Sequence, residues 1–538
     1  QKQHVCLGCD YDRATSNNNK LTIRGYMRGA NSIEVNATSD TELMRTYAKS
    51  GKFCSGVAIS GAAAENSYYI GLSGTHNKGF RYLEIQGGEF GNIAGGMDNI
   101  NDENKPAFTL RIKGGLIKGS IYGAAAEQHA NGIRTFIITG GEINGWVAAG
   151  ANGTKSENGH LRGETFVYVG GNAVVSSHGS QTVIGRGVGG NVFGSGCGYS
   201  NTSTSGQATK GTNVVIADNA IVERGVYGGG AFGFCSTDQT SNIYITGGTV
   251  NSVNGGTSRT AGTTWNANVP GGVYGGACMN NGGKVNIYMT GGLVKGNMYN
   301  GAQIGGVYGG SNSYGTINTD ATIKMVGGQV GEPAQAAHIC GGGYGQPTRV
   351  KNNVDVTIGG DAVVYGEVYG GSEQGLVNTD ADNSTYQSGK HTYVNVTGGT
   401  VYGAVYGGGL GTTDNAANTY GVSKVTMTGG TVNGNVFGCN NVNGKPFDTT
   451  VEVEMTGGTA TNVYGGGNEA AYTGAPKVTI DGTGHVTNNV FGGGKGVGAK
   501  VTGNTTVIVK GSSVIDHNVY GGGHGAEVDG STNVTIGE

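Results

Sequence analysis

One phrase recurs along this chain from about Tyr82 onward: apolar-x-apolar-x-Gly-Gly-x-Val-x-Gly-x-Val-Tyr-Gly-Gly-Gly. A full copy runs from Val394 to Gly409, and others from Val425 to Cys439, Val453 to Gly467, Val478 to Gly494 and Val507 to Gly523. Each copy holds three short strand signals. The first alternates apolar and polar residues, as in Val451-Glu452-Val453-Glu454-Met455, which marks a strand with one buried face. Gly-Gly turns the chain, Thr-Val-x forms a second strand, and Asn-Val-Tyr a third. A unit this short cannot bury its own apolar side, so successive units must stack.

The aromatic landmark of the phrase falls at Tyr122, Phe193, Tyr227, Tyr274, Tyr308, Tyr369, Tyr406, Phe437, Tyr464, Phe491 and Tyr520. Ala94, Val147 and Cys340 take its place in degenerate copies. The last four spacings are 31, 27, 27 and 29 residues, and earlier ones stretch to the mid-forties. The extra residues form polar Asn/Ser/Thr/Gly segments such as 195–212 and 372–390, which read as loops. Proline stays out of every expected strand, as a hydrogen-bonded ladder requires. In a second version of the corner, as in Ile358-Gly359-Gly360-Asp361-Ala362-Val363-Val364, one extra residue is inserted.

These features predict an all-β chain: a single-stranded, right-handed parallel β-helix (β-solenoid) of roughly 14 coils, about 65 Å long at the usual interstrand spacing. Residues 1–75 do not fit the phrase and are expected to form an N-terminal cap. Within them Leu21-Thr22-Ile23 and Ile33-Glu34-Val35 look like strands, and Thr41–Ser50 has a helical flavour. Residues 76–538 form the repeat domain. The last copy stops in mid-phrase after Ile536, so the repeats are expected to continue beyond residue 538. Val453, Met455 and Val463 should point inward, and Glu452, Glu454 and Tyr464 outward. Lys424, Glu452 and Lys477 then fall at one outward position in successive repeats, an alternation of charge that favours this register.

Composition narrows the function. Glycine supplies 111 of 538 residues, but only 6 are proline and no Gly-X-Y period exists, so collagen is excluded. Charged residues are 13% and the net charge is −3, which leaves no basic stripe for nucleic acid. No apolar run approaches a membrane-spanning length. Of the eight cysteines only Cys6 and Cys9 are close together. One CxxC is half of a zinc site, and disulfides among Cys6, Cys9 and Cys54 within the cap are the plainer reading.

The phrase Gly-Gly-Thr-Val-x-Gly-x-Val-Tyr-Gly-Gly-Gly resembles the glycine-rich repeats of large bacterial surface and secreted proteins, of adhesin or filament type. The resemblance covers roughly residues 80–538. It implies a parallel β-helix fold, an extracellular or cell-surface location, and export by a dedicated outer-membrane route such as type 9 secretion. The long loops after Phe193 and Tyr369 depart from the tighter members and leave room for a role of their own.

Against that background few residues offer chemistry. Glycosidases need a carboxyl pair roughly 5–10 Å apart, and Glu452 and Glu454 stand about 7 Å apart by strand geometry, yet Lys424 and Lys477 account for them as a charge ladder. His485, His517 and His524 occupy different outer positions with no cysteine or paired carboxylate beside them. Glu373, Asp380 and Asp382 share a loop without calcium-ligand spacing. Gly341-Gly342-Gly343-Tyr344-Gly345 lacks the following helix or Gly-Lys-Ser/Thr of a phosphate loop. No catalytic residue, metal site or cofactor is assigned.

The expected function is therefore a non-catalytic secreted or surface rod, serving as adhesin, stalk or fibre component and able to self-associate. The first alternative is glycan binding along an external tyrosine ladder of Tyr227, Tyr274, Tyr308, Tyr369, Tyr406, Tyr464 and Tyr520, whose aromatic faces would stack on sugars. Glycans or host and bacterial surface proteins are the partners this reading names. The second alternative is a β-helical polysaccharide lyase or hydrolase.

Overall fold

A computed structural model describes residues 81–537 apart from short loop stretches, and before them three strands, Lys20–Ile23, Val35–Ala37 and Met44–Thr46. Every described element is a β-strand, and there is no helix among the described residues. The chain divides into two compact units, Gln1–Gly271 with Gly276–Gly282, and Gly272–Gly275 with Gly283–Glu538.

In the second unit the phrase turns into three parallel ladders. Its first strands pair Val425 with Val453, Val453 with Val478 and Val478 with Val507. Its second strands align Val432, Ala460, Val486 and Ile515. Its third strands align Val436, Val463, Val490 and Val519. The first unit repeats the plan, with Leu110, Phe136, Val167, Val214 and Ile243 in one line. Alternation decides which side chains enter this line. From Arg134 to Gly140 alternate residues are buried and those between are partly exposed, and past the glycine corner burial resumes at Ile143. Each buried valine or leucine contributes on the order of 1.5–3 kcal/mol of hydrophobic stabilisation, and each lies on the equivalent residue of the next repeat.

The expected charge register holds. Lys424 pairs with Glu452, and Glu452 with Lys477. The Lys424 ammonium lies 2.6 Å from Glu454 and 3.4 Å from Glu452, and Lys477 lies 3.3 Å from Glu452. A second ladder forms at the corner before the third strand. The Asn462 side chain donates to the Asn435 side chain at 2.8 Å, and the Asn489 and Asn518 backbone amides donate to the Asn462 and Asn489 side chains respectively, each at 3.1 Å. The one-residue corner variant is also present. Met325 and Gln329 are four apart, whereas their partners Ile358 and Val363 are five apart.

The Gly-Gly corner has two distinct causes. At Gly457 an added Cβ would stand 2.6 Å from the Thr428 carbonyl oxygen of the preceding repeat, and at Gly458 φ is +80°. The first position forbids a side chain by contact, and the second by conformation and contact together, since a Cβ at Gly458 would also stand 2.6 Å from the Gly429 carbonyl oxygen. Gly458→Ala is expected to cost about 1–3 kcal/mol, read as a lower midpoint of chemical denaturation. A midpoint equal to the parent's would show that the corner relaxes freely.

Several sequence expectations change. Thr41–Ser50 contains a strand, Met44–Thr46, antiparallel to Val35–Ala37. That second strand begins at Val35, so Ile33 and Glu34 lie outside the described residues. Lys20–Ile23 aligns with Tyr82–Ile85 in parallel, joining the first repeat ladder. The rest of the proposed cap, with Cys6, Cys9 and Cys54, lies outside the described residues. Ala148, not Val147, aligns with Tyr122 and Phe193, a one-residue shift that turns the assigned side chain to the opposite face. The inserted loops are not irregular throughout. Gly315–Ile317, Thr348–Val350 and Leu376–Val377 form a small parallel sheet, as do Tyr472–Thr473, Val501–Thr502 and Val528–Asp529. Pro446 joins this loop register as a β-bridge to Thr419 without needing an N–H, because the Thr419 amide donates to the Lys445 carbonyl and Phe447 donates to Thr419.

Candidate functional site

The third strand places its aromatic residue opposite the buried valine, and parallel pairing sets the rings one repeat apart. Tyr369, Tyr406, Phe437, Tyr464, Phe491 and Tyr520 form one continuous stack with centroids 4.7–4.9 Å apart and planes within 12°. Tyr274 stacks on Tyr308 at 4.8 Å, and in the first unit Phe193 stacks on Tyr227 at 5.0 Å. Cys340 occupies the ladder position between Tyr308 and Tyr369, as expected.

The ladder is not external. Tyr227, Tyr274, Tyr308, Tyr369, Tyr406 and Tyr464 are buried, and of the seven candidate tyrosines only Tyr520 is open, at 45% exposure. The chain beyond each Gly-Gly covers the rings. Four residues after each ladder position come Tyr344, Glu373, Leu410, Asn441, Asn468, Lys495 and His524. Backbone hydrogen bonds tie this line from repeat to repeat, from Glu373 to Gly343, Asn441 to Gly409, Asn468 to Asn440, Lys495 to Gly467 and His524 to Gly494. Tyr344 meets Tyr308 edge-on at 5.7 Å, and the His524 imidazole stacks on Phe491 at 5.2 Å.

Two carboxyl groups lie beneath this cover. The Tyr308 hydroxyl donates to Glu373 at 2.7 Å. Burial raises the Glu373 carboxyl to about 7, opposed by that hydrogen bond, and Glu373 in turn raises the buried Tyr308 and Cys340. The Tyr369 hydroxyl donates to Glu367 and accepts from the Asn441 amide at 2.8 Å. Burial also raises Glu367, while hydrogen bonds from Tyr369 and Tyr406 oppose the rise. His338 Nδ1 accepts the Glu367 backbone amide at 3.2 Å, which fixes that nitrogen as unprotonated. Burial lowers His338 to about 4, so its 4.0 Å approach to the Glu367 carboxylate is a contact of a neutral ring.

These groups are arranged for packing. A buried polar group is costly unless it is hydrogen-bonded, and tyrosine hydroxyls meet both acids. From sequence Glu373 stands out only as a loop carboxylate beside Asp380 and Asp382, and Glu367 resembles a surface glutamate in a glycine-rich stretch, so neither announces its burial. The signal available was the fixed four-residue offset of Glu373 from Tyr369.

The remaining sequence candidates are separated. Glu452 and Glu454 are tied to lysines, as described above. Asp380 pairs with Lys351 at 2.7 Å and Asp382 with Arg349 at 2.6 Å, so Glu373, Asp380 and Asp382 do not converge on one calcium site. A carboxylate does join His485, contrary to expectation: Asp516, from the next repeat, lies 3.1 Å from its Nε2. No group of three or more His, Cys, Asp or Glu suited to a metal occurs among the described residues. Cys197, Cys235, Cys278, Cys340 and Cys439 are buried thiols. Burial raises Cys235 to about 11 and pushes Cys340 and Cys439 well up, which suppresses the reactive thiolate. No helix among the described residues is long and apolar enough to cross a membrane. No protein family, curated protein or solved structure matches the chain.

Proposed function

We propose that the repeats form a right-handed parallel β-helix that serves as a non-catalytic rod in an extracellular adhesin, stalk or fibre. One observation carries the reading: the groups best suited to chemistry are each engaged with structural partners. Glu452 and Glu454 sit in a lysine ladder, Glu373 under Tyr308, and Glu367 under Tyr369. In-register parallel ladders of like residues support the helical winding.

Removing one repeat tests it. Deleting residues 465–491 joins Tyr464 to Gly492 and leaves the Lys424–Glu452 pair in place. A stacked helix should close over the deletion, keep its sheet circular dichroism per residue and appear as a slightly shorter rod by electron microscopy. Deleting 465–478, about half a repeat, should break the register. Compact globular particles, or equal tolerance of both deletions, would defeat the proposal.

A further inference from the structure

One position follows directly on the second strand. From repeat to repeat it holds Gly331, Tyr365, Tyr402 and Asn433. The backbone fixes that alignment: the Tyr365 amide donates to Val330 and the Tyr402 amide to Val364, each at 2.8 Å, while Val364 pairs with Val401 and Val401 with Val432. Tyr365 and Tyr402 stack with centroids 4.5 Å apart and planes at 5°. Their hydroxyls lie on the same side of the stack and interact with each other. Tyr402 is 47% exposed and Tyr365 is partly exposed.

The tyrosine pairs of the buried column differ in two respects. Tyr274 on Tyr308 and Tyr369 on Tyr406 are spaced almost as closely, at 4.8 and 4.9 Å, but all four rings are enclosed. The Tyr308 and Tyr369 hydroxyls are also held by Glu373 and Glu367. Beyond Tyr406 the column alternates with Phe437 and Phe491, which carry no phenol. At the outer position the residues flanking the pair are Gly331 and Asn433, and neither is readily oxidised. A radical formed on one of the two exposed rings therefore has the other ring as its neighbour in the column.

We infer that Tyr365 and Tyr402 are a site of oxidative cross-linking, at which a peroxidase-type one-electron oxidant supplied with hydrogen peroxide joins the two side chains as dityrosine. Each phenol gives up one electron and its hydroxyl proton. The phenoxyl radical left behind shares its unpaired electron with the carbons ortho to the oxygen, and parallel stacking holds those carbons of one ring over the other. The two radicals pair their electrons in a new carbon–carbon bond. The hydrogens on the joined carbons leave as protons, the oxygens take up protons, and both phenols are restored. The net loss is two hydrogen atoms, which reduce one hydrogen peroxide to two waters. The bond staples two successive repeats on the outside, next to the place where Val364 pairs with Val401. A covalent link between segments removes opened states in which they separate. This site is independent of the rod reading, which stands or falls with the deletions above.

The test treats the whole chain, dilute enough to keep molecules apart, with a haem peroxidase and hydrogen peroxide. Dityrosine fluorescence follows the reaction, and mass spectrometry of the digest identifies the joined peptides. The expected product is a single chain with Tyr365 linked to Tyr402 and two hydrogens lost. Tyr365→Phe and Tyr402→Phe keep the stacked rings and should each abolish that link, which separates the chemistry from loss of fold. Tyr386→Phe, at an exposed tyrosine elsewhere, should leave it unchanged. Amide exchange between residues 365 and 402 should slow after oxidation of the parent and not of Tyr402→Phe. No dityrosine, links that join only other tyrosines or separate chains, or exchange unmoved by the link would overturn the assignment.

Discussion

Tyr369→Ala is expected to lower stability by about 3–5 kcal/mol, the range for deleting a large buried aromatic side chain. Three losses coincide. The ring leaves the stack with Tyr406 and its edge contact with His338. The Glu367 carboxyl loses a hydroxyl donor, and the Asn441 amide loses its nearer acceptor, keeping only the Glu367 carboxyl at 3.4 Å. Tyr369→Phe separates these contributions, because it keeps the stack and removes only the hydroxyl. Its cost should be about 1–3 kcal/mol, the penalty for leaving buried polar groups unsatisfied. Stacked repeats can open locally, so amide exchange around residues 340–441 is the sharper measurement. Faster exchange there in Tyr369→Ala, with a smaller change in Tyr369→Phe, is the expected pattern. Unchanged exchange in both would show that the column is ornamental to stability.

The strands were legible because two independent periods agree in this sequence. Alternation in Glu452–Met455 states which side chains are buried, and the return of Gly-Gly states where the next strand begins. Together they predicted that Lys424, Glu452 and Lys477 meet, and these three do pair. Where the landmark residue is small the frame can slip by one, as happened at Val147 and Ala148. The burial of the tyrosines was hidden for a different reason. A strand pattern gives the face a residue occupies, but not what later covers that face. The cover runs through Tyr344, Glu373, Leu410, Asn441, Asn468, Lys495 and His524, a line with no common chemistry. Its regularity lies in the backbone hydrogen bonds and in a constant offset from the aromatic residue.

The same distinction applies to Tyr365 and Tyr402, which stack with centroids 4.5 Å apart on the position after the second strand. Tyr365 and Tyr402 occupy a position filled in other repeats by Lys295, Asn433 or Thr461, where no aromatic consensus exists. Against the strong third-strand ladder the two tyrosines read as incidental. Their stacking follows only once Val364 and Val401 are known to be paired.

Glu373→Gln should remove a loss of stability that the parent shows as pH rises through neutrality. The folded carboxyl holds its proton up to about 7, above the ordinary value of 4.5, because of burial. The folded state therefore binds the proton more tightly than the unfolded chain. That contribution is fully present below about pH 4.5 and is lost as pH rises through about 7. The shift corresponds to on the order of 3 kcal/mol. His338 runs the other way. Its folded value is lowered to about 4 from 6.5, so its contribution is present above 6.5 and is lost as pH falls toward 4. Between about 4.5 and 6.5 the two slopes oppose each other, and from 6.5 to about 7 the Glu373 slope is uncovered; the raised carboxyl of Glu367 acts with the same sign as Glu373. The groups around Glu373 are Tyr308, Tyr344 and Cys340, all of which its charge raises further, so none supplies a compensating cation. Glutamine keeps an acceptor for the Tyr308 hydroxyl and carries no charge. Denaturation midpoints should stay nearly level for the parent from pH 5 to 6.5 and then fall to about pH 7, whereas those of Glu373→Gln should rise from pH 5 to 6.5, where His338 alone acts, and hold level above it, with the variant the more stable at pH 8. Parallel curves for the two proteins would show that the buried carboxyl does not govern this range.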